Sequence, residues 1–152
     1  MKTDYASNCI RNWTYVAEHP DDDFVIQKMA KESIPDMLYL IRLQYLQSIL
    51  DFGCGIGRQF DYFKTVAEIV DGYDIPPMIA RCKRMNKELL ADKLYDDWEQ
   101  VKADGRIYNL ITAFYVLQFL DSIDDLNQYI TDMAHMSYYL YFIGSATMDD
   151  EN

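Results

Sequence analysis

The sequence has little that would suit a membrane-spanning, secreted or metal-binding protein. No apolar run in its 152 residues approaches the roughly 18 to 20 residues that a membrane-spanning helix needs. Residues 1–5 lack the apolar core of a secretion signal. The three cysteines, Cys9, Cys54 and Cys82, lack metal-ligand spacing, and an odd count argues against a disulfide framework. We therefore expect a cytoplasmic protein with no metal site.

Basic residues are also scarce. The chain has 14 Lys and Arg against 25 Asp and Glu, a net charge of -11. A surface that binds a phosphate backbone needs clustered basic residues, and the cluster at 81–87 lies on a predicted helix, where charges usually face solvent. Nucleic acid is therefore disfavoured as a partner. Half of the residues are hydrophobic, enough for the core of one globular domain.

Strand-like and helix-like segments alternate along most of the chain. Helices are predicted at 8–18, 22–31, 33–44, 59–66, 76–90 and, capped by Ser122 or Asp121, through Met136. Strands are predicted at 48–52, 68–73, 108–113 and 138–143, and 92–102 could hold a short strand or a helical turn. This alternation predicts an α/β fold, a Rossmann-like three-layer αβα sandwich with a mostly parallel sheet of about five strands. We expect an N-terminal helical lid region at 1–47 and a core at 48–152 within a single domain.

A glycine-rich turn follows the first predicted strand. Gly53, Gly55 and Gly57 are spaced G-x-G-x-G, and such a turn between a strand and a helix brings backbone N–H groups close to a ligand. Alone, the glycines could form only a tight turn. Asp74 ends the second strand about twenty residues on, where an acid can accept hydrogen bonds from a ribose diol, although alone it could simply cap a helix. The two features together predict a nucleoside-containing cofactor.

Three segments resemble motifs of the class I S-adenosylmethionine-dependent methyltransferases. Residues 49–58, ILDFGCGIGR, are similar to the family's first motif, and 70–83, VDGYDIPPMIARCK, to its second. Residues 108–120, YNLITAFYVLQFL, resemble the fourth strand and the loop after it. Upstream, Trp13, Ala17 and Pro20 resemble the substrate-access region of small-molecule members. The resemblance covers about residues 10 to 146.

The resemblance implies a role for each matching position. S-adenosyl-L-methionine would be the cofactor, with Asp51 reaching its amino group and Asp74 its ribose hydroxyls. Asp97 or Asp96 would lie near the adenine amino group. The remaining implied contacts are Gly53, Cys54, Gly55 and Gly57 around the methionine moiety, Ile75 on the adenine, and Ala113, Phe114 and Tyr115 near the sulfonium.

The sequence also departs from the family pattern. Asn109 replaces an acid that often begins the fourth strand, and Phe119 replaces a His that often follows it. The chain lacks the C-terminal strand hairpin that usually follows the fifth strand. An uncovered strand edge promotes association, so we expect either self-association near the fifth strand or its cover by the N-terminal helices and acidic tail.

Three functions are compatible with these motifs. The first is an S-adenosylmethionine-dependent methyltransferase acting on a small molecule. The second is a cofactor-binding protein without methyl transfer, a sensor or partner subunit, and the third is a different enzyme using the same cofactor. A nucleotide-dependent oxidoreductase would require G-x-G-x-x-G, and Arg58 stands at the third glycine position.

The catalytic residue is less defined than the cofactor site. A high-pKa acceptor needs a general base, and the candidates are His19, Tyr15 and Tyr115, with His135 weaker. Arg11 or Arg58 could receive an acidic substrate, although either suits a solvated surface as well.

Overall fold

A computed structural model describes residues 14–15, 17–19, 46–85 and 90–143. The helices predicted at 22–31 and 33–44, and Arg11, lie outside these residues. Thr14, Tyr15, Ala17 and Glu18 are helical, in agreement with the first predicted helix.

The described core is built on a five-stranded sheet with the order β3-β2-β1-β4-β5. Every neighbouring pair is parallel. The strands are β1 Leu46–Phe52, β2 Ala67–Tyr73, β3 Lys93–Tyr95, β4 Tyr108–Phe114 and β5 Ser137–Ile143. Parallel strands bury both faces under helices, and the burial of β1, in which only Gln47 is exposed, fits this rule.

Four helices connect the strands: α1 Phe60–Val66, α2 Pro76–Arg84, α3 Trp98–Ala103 and α4 Ile123–His135. A 3-10 turn, Leu117–Phe119, precedes α4. Ser122 caps α4, because its Oγ accepts a hydrogen bond from the Asp125 N–H at 3.1 Å, which resolves the alternative between Ser122 and Asp121. Helix α2 ends at Arg84 rather than near Leu90, after a last turn whose basic side chains favour a helix C-terminus.

Two hydrophobic cores cover the two faces of the sheet. Helices α1 and α2 contribute Phe60, Phe63 and Ile79 to one core, whereas α3 and α4 contribute Trp98, Val101 and Met133 to the other. The three-layer αβα sandwich predicted from the sequence is therefore confirmed. The ambiguous segment 92–102 contains both alternatives, strand β3 followed by the start of α3.

Asn109 connects the amino-terminal ends of β1 and β4. Its Oδ1 accepts hydrogen bonds from the N–H groups of Gln47 and Ser48, both at 2.9 Å, and Ser48 Oγ accepts from the Asn109 N–H at 3.2 Å. An amide oxygen serves here as well as a carboxylate oxygen would. Asn109, which stands where the family often has an acid, therefore makes a structural contact at the amino-terminal ends of the strands, remote from the glycine turn.

Among the described residues, no helix is both long enough and apolar enough to cross a membrane.

Candidate cofactor-binding site

The glycine turn lies at the topological switch point of the sheet, where the order of the strands reverses direction. The chain runs from β1 outward through β2 and β3, then returns to the other side of β1 as β4 and β5. In open parallel sheets, ligands bind outside the carboxyl ends of the strands at this change of direction. Residues 53–59 begin at the carboxyl end of β1 and therefore occupy that position.

The three glycines of the turn all have left-handed backbone conformations. Their φ values are 76° at Gly53, 56° at Gly55 and 76° at Gly57, a region that other residues enter only at a cost. Space matters as well at Gly53, because a Cβ there would lie 2.5 Å from Val116 Cγ2. The turn is therefore pressed against the segment that follows β4.

Asp74 ties the turn to the end of β2. Its Oδ2 accepts a hydrogen bond from the Gly55 N–H at 2.6 Å, and its Oδ1 accepts from the Ile75 N–H at 2.7 Å. The N–H groups of Gly53 and Cys54 donate to the Tyr73 carbonyl at 2.8 and 3.0 Å. Burial raises the pKa of the Asp74 carboxyl to about 6, against the lowering effect of the two backbone hydrogen bonds. The acid predicted from the sequence is thus in direct contact with the glycine turn.

Asp51 is a buried acid at the carboxyl end of β1. Its side chain is 2% exposed, and its Oδ1 accepts a hydrogen bond from Thr112 Oγ1 at 2.9 Å. Burial raises the pKa of Asp51 to about 7; the Thr112 hydrogen bond lowers it, and the charge of Asp74 raises it further. Two carboxyls with raised pKa values on either side of one turn form an electrostatic setting for a cationic ligand.

Asp96 and Asp97 follow the carboxyl end of β3, at the same edge of the sheet as Asp51 and Asp74. Both are exposed. Asp97 caps α3, because its Oδ1 accepts a hydrogen bond from the Glu99 N–H at 3.0 Å. Trp98 is fixed beside it by a hydrogen bond from Nε1 to Asp132 Oδ2 at 2.9 Å. A contact between Asp97 and an adenine stays a prediction.

The end of β4 completes this edge. Ala113 is buried and Phe114 half-buried, and Tyr115 has a φ of 54°. A bulky residue in the left-handed region is strained, and such strain concentrates at functional sites. The turn at Tyr115 leads into Val116, which packs against Gly53.

The other predicted side chains lie in different places. The Tyr15 and His19 rings stack with centroids 4.3 Å apart, and His19 Nδ1 is 3.1 Å from the Tyr15 carbonyl oxygen. His135 ends α4 just before β5, at the edge opposite the glycine turn, so the structure does not bring it to the site. Arg58 is half-buried directly after the turn.

Sequence reasoning missed two residues of the site, Thr112 and Val116. Thr112 stands out as a hydroxyl in the apolar stretch of β4 that follows Asn109, and the structure pairs it with Asp51 in the β1–β4 register. Val116 gave no signal, because its contact with Gly53 depends on the packing of two distant loops.

Comparison with known proteins adds an independent finding. The sequence profile of the family described as "Methyltransferase domain" matches residues 16–140. No curated protein sequence matches the chain significantly.

Solved structures of methyltransferases share the fold. A DhpI–S-adenosylhomocysteine complex matches with a TM-score of 0.69 at 15% identity, covering 97% of this chain and 76% of that one. The N-methyltransferase NodS from Bradyrhizobium japonicum WM9, in complex with S-adenosylhomocysteine, gives 0.59 at 18%, covering 70% and 58%. Magnesium protoporphyrin IX methyltransferase (ChlM) from Synechocystis PCC 6803, with bound S-adenosylmethionine, gives 0.60 at 19%, covering 78% and 62%.

The match thus covers less than two thirds of the NodS and ChlM chains. At these identities the structures establish the fold, whereas the profile match extends over most of the sequence. The chain belongs to the methyltransferase-domain family whose motifs its sequence resembles, the class I S-adenosylmethionine-dependent methyltransferases.

Proposed function

We propose that the protein binds S-adenosyl-L-methionine and transfers its methyl group to a small-molecule acceptor. The observation that carries this proposal is the pair of acids around the glycine turn, Asp51 at the end of β1 and Asp74 in contact with Gly55. The cofactor carries a positively charged sulfonium and an ammonium group, and ionised carboxylates at this edge of the sheet would offset part of that charge. The solved methyltransferases with S-adenosylmethionine or its product support the same cofactor.

The residues present fit this cofactor. Among the described residues, a Cβ at Gly55 would meet only Met78 Cε, at 3.4 Å, which leaves space above this part of the turn for a ligand to approach the backbone. Asp51 would accept a hydrogen bond from the amino group, and Asp74 would accept from the ribose hydroxyls. The other proposed contacts are Gly53, Cys54, Gly55 and Gly57 around the methionine moiety, Ile75 and Asp97 at the adenine, and Ala113 and Phe114 along the cofactor.

When bound, the cofactor supplies an electrophilic methyl group on a good leaving group. The chain then has mainly to hold the acceptor in line and to exclude water, which can provide much of the rate. Tyr115 directly follows the carboxyl end of β4 and has a strained backbone. It is therefore our first candidate for contact with the acceptor. Tyr15 and His19 remain weaker candidates for a general base.

Two observations support a small acceptor. The net charge of -11 disfavours nucleic acid. Two structural neighbours are described as methyltransferases of small molecules, namely magnesium protoporphyrin IX and an amino pentose. A cytoplasmic location stays the prediction from the sequence, and cell fractionation tests it.

Titration calorimetry with S-adenosylmethionine and S-adenosylhomocysteine tests the shared premise of binding. We expect both to bind, and an absence of binding at high micromolar concentration would refute the cofactor assignment. Incubation with methyl-labelled cofactor and a panel of small amines, carboxylates and phenols then tests transfer. Binding without a methylated product would favour a sensor or partner subunit, and cofactor turnover to other products would favour a different enzyme.

We further propose that β5 mediates self-association. It ends the described sheet, and it exposes 73% of Tyr138, 62% of Tyr139 and 36% of Phe142. An open strand edge with exposed aromatic side chains favours pairing with a second copy. Light scattering should show a dimer that Tyr139→Lys weakens. A wild-type monomer would refute this association.

A further inference from the structure

We propose that Thr112 is a positioning residue of the cofactor site, whose hydroxyl orients the Asp51 carboxylate toward the amino group of the cofactor. This inference rests on the proposed function. Thr112 is fully buried, and it lies opposite Asp51 in the parallel register of β4 with β1. The two strands lie on either side of the point where the strand order reverses, so the contact lies near their carboxyl ends, next to the glycine turn.

The hydrogen bonds of Thr112 explain how it could act. Its Oγ1 donates to Asp51 Oδ1 at 2.9 Å and lies 3.4 Å from the Leu50 carbonyl oxygen. A hydroxyl can donate and accept. With an ionised Asp51, Thr112 donates to the carboxylate; with a protonated Asp51, it can accept from the carboxyl and donate to Leu50. The hydroxyl therefore has partners in both protonation states, whereas a valine methyl would have none.

The bond occupies Oδ1 and so fixes the plane of the carboxyl group. The other carboxyl oxygen, Oδ2, does not take part in the bond with Thr112, and its direction is set by the plane of the carboxyl group. An acid in such a place needs a fixed orientation to recognise an ammonium group, because charge-assisted hydrogen bonds depend on geometry. Without Thr112, the carboxyl would keep its burial and lose the contact that favours its ionised form.

The groups around Asp51 allow a test by pH. Among the described residues, the titratable groups that act on it are the Asp74 carboxyl and the Cys54 thiol. Burial raises the pKa of Cys54 well above its ordinary value, so the thiol stays neutral and Asp74 is the only neighbouring charge that changes. Asp74 is present in every Thr112 variant and shifts all profiles equally.

The experiment measures the affinity for S-adenosylmethionine between roughly pH 5.5 and 8 in wild type, Thr112→Val and Thr112→Ser. In wild type, affinity should fall as the pH drops through about 7, where Asp51 takes up a proton. Thr112→Val should move this midpoint up by about half to one pH unit and weaken binding at neutral pH roughly 3- to 10-fold. Thr112→Ser keeps the hydroxyl and should restore the wild-type midpoint.

A second ligand separates this role from a general structural effect. 5′-Methylthioadenosine keeps the adenosine of the cofactor and lacks the amino group, so Thr112→Val should bind it within about twofold of wild type. Thermal unfolding confirms that each variant is folded, and Thr112→Ala provides a second variant without the hydroxyl. Equal weakening of both ligands, or an unchanged midpoint in the valine and alanine variants, would overturn the role of Thr112. A wild type that binds neither ligand would instead refute the proposed function.

Discussion

Gly53 and Gly105 have similar backbones and different surroundings. Their φ values are 76° and 63°, but a Cβ at Gly53 would lie 2.5 Å from Val116, whereas no atom of the described residues lies within 4 Å of one at Gly105. A left-handed conformation costs any other residue about 1 to 2 kcal/mol. The pair therefore separates the cost of conformation from the cost of contact.

We expect Gly105→Ala to lower the free energy of unfolding by about 1 kcal/mol. Gly53→Ala should cost roughly 1 to 3 kcal/mol more, because it adds a clash with Val116 to the same backbone strain, and it should weaken cofactor binding. Denaturant titration measures the first effect and calorimetry the second. Equal destabilisation by the two substitutions would show that the loop after β4 yields easily.

Asp74 is the residue whose removal should affect binding most directly. Asp74→Ala removes the proposed acceptor for the ribose and the contact with Gly55, and we expect it to weaken cofactor affinity by roughly 1.5 to 3 kcal/mol. Glu68→Ala is the matched control, because it changes the net charge equally at an exposed position near the start of β2. Unchanged affinity in Asp74→Ala would mean that the ribose assignment is wrong.

At the scale of elements, the contact between β1 and β4 is held at both ends by polar groups. Asn109 joins their amino-terminal ends, and Thr112 joins their carboxyl ends through Asp51. The intervening pairs, Ile49 with Leu110 and Leu50 with Ile111, are apolar. The polar contacts fix the register that brings Thr112 opposite Asp51, because a shift by one residue would turn each side chain to the other face.

Substitution of Asn109 tests whether its contacts stabilise the pairing of β1 with β4. Asn109→Asp restores the family's acid, keeps an acceptor for the Gln47 and Ser48 N–H groups, and should change stability by less than about 1 kcal/mol. Asn109→Leu removes the acceptor and should lower the free energy of unfolding by roughly 1 to 3 kcal/mol. Denaturant titration checks both. A large gain in methyl transfer by Asn109→Asp would instead assign this position to catalysis.

At the scale of the whole molecule, the two acids beside the glycine turn link stability to pH. Asp51 and Asp74 have pKa values of about 7 and about 6, both raised above the ordinary value of 3.8. The folded state therefore holds these protons more tightly than the unfolded state. Their contribution is fully present below about pH 4 and is lost as the pH rises through about 6 and 7. Asp92, Asp104 and Asp132 have lowered pKa values, and their contributions are lost only at more acidic pH.

Without cofactor, we expect the protein to be more stable near pH 5 than near pH 8, by on the order of 2 kcal/mol. Asp51→Asn should reduce this dependence without abolishing it, because the amide does not titrate whereas Asp74 still does, and Glu68→Gln should leave it unchanged. Thermal unfolding at several pH values measures the effect. A stability that rises from pH 5 to pH 8 in wild type would show that the two acids are ionised in the folded protein throughout this range.

The sequence by itself determined the local features of this protein. Residue periodicity indicates the strands and helices. The spacing of the glycines from Gly53 to Gly57 indicates the turn, and the position of Asp74 at the end of a strand indicates its part in the site. These signals depend on short-range conformational preferences, so four of the five strands were predicted to within two residues at either end. The third was ambiguous because three residues are too few to establish a period.

The tertiary structure decided the contacts that join distant parts of the chain. Thr112 meets Asp51 across 61 positions, and Val116 fills the space above Gly53. Such contacts depend on strand order, register and loop packing. No periodicity or spacing encodes them, because the free energy that selects them comes from the burial of both sheet faces at once.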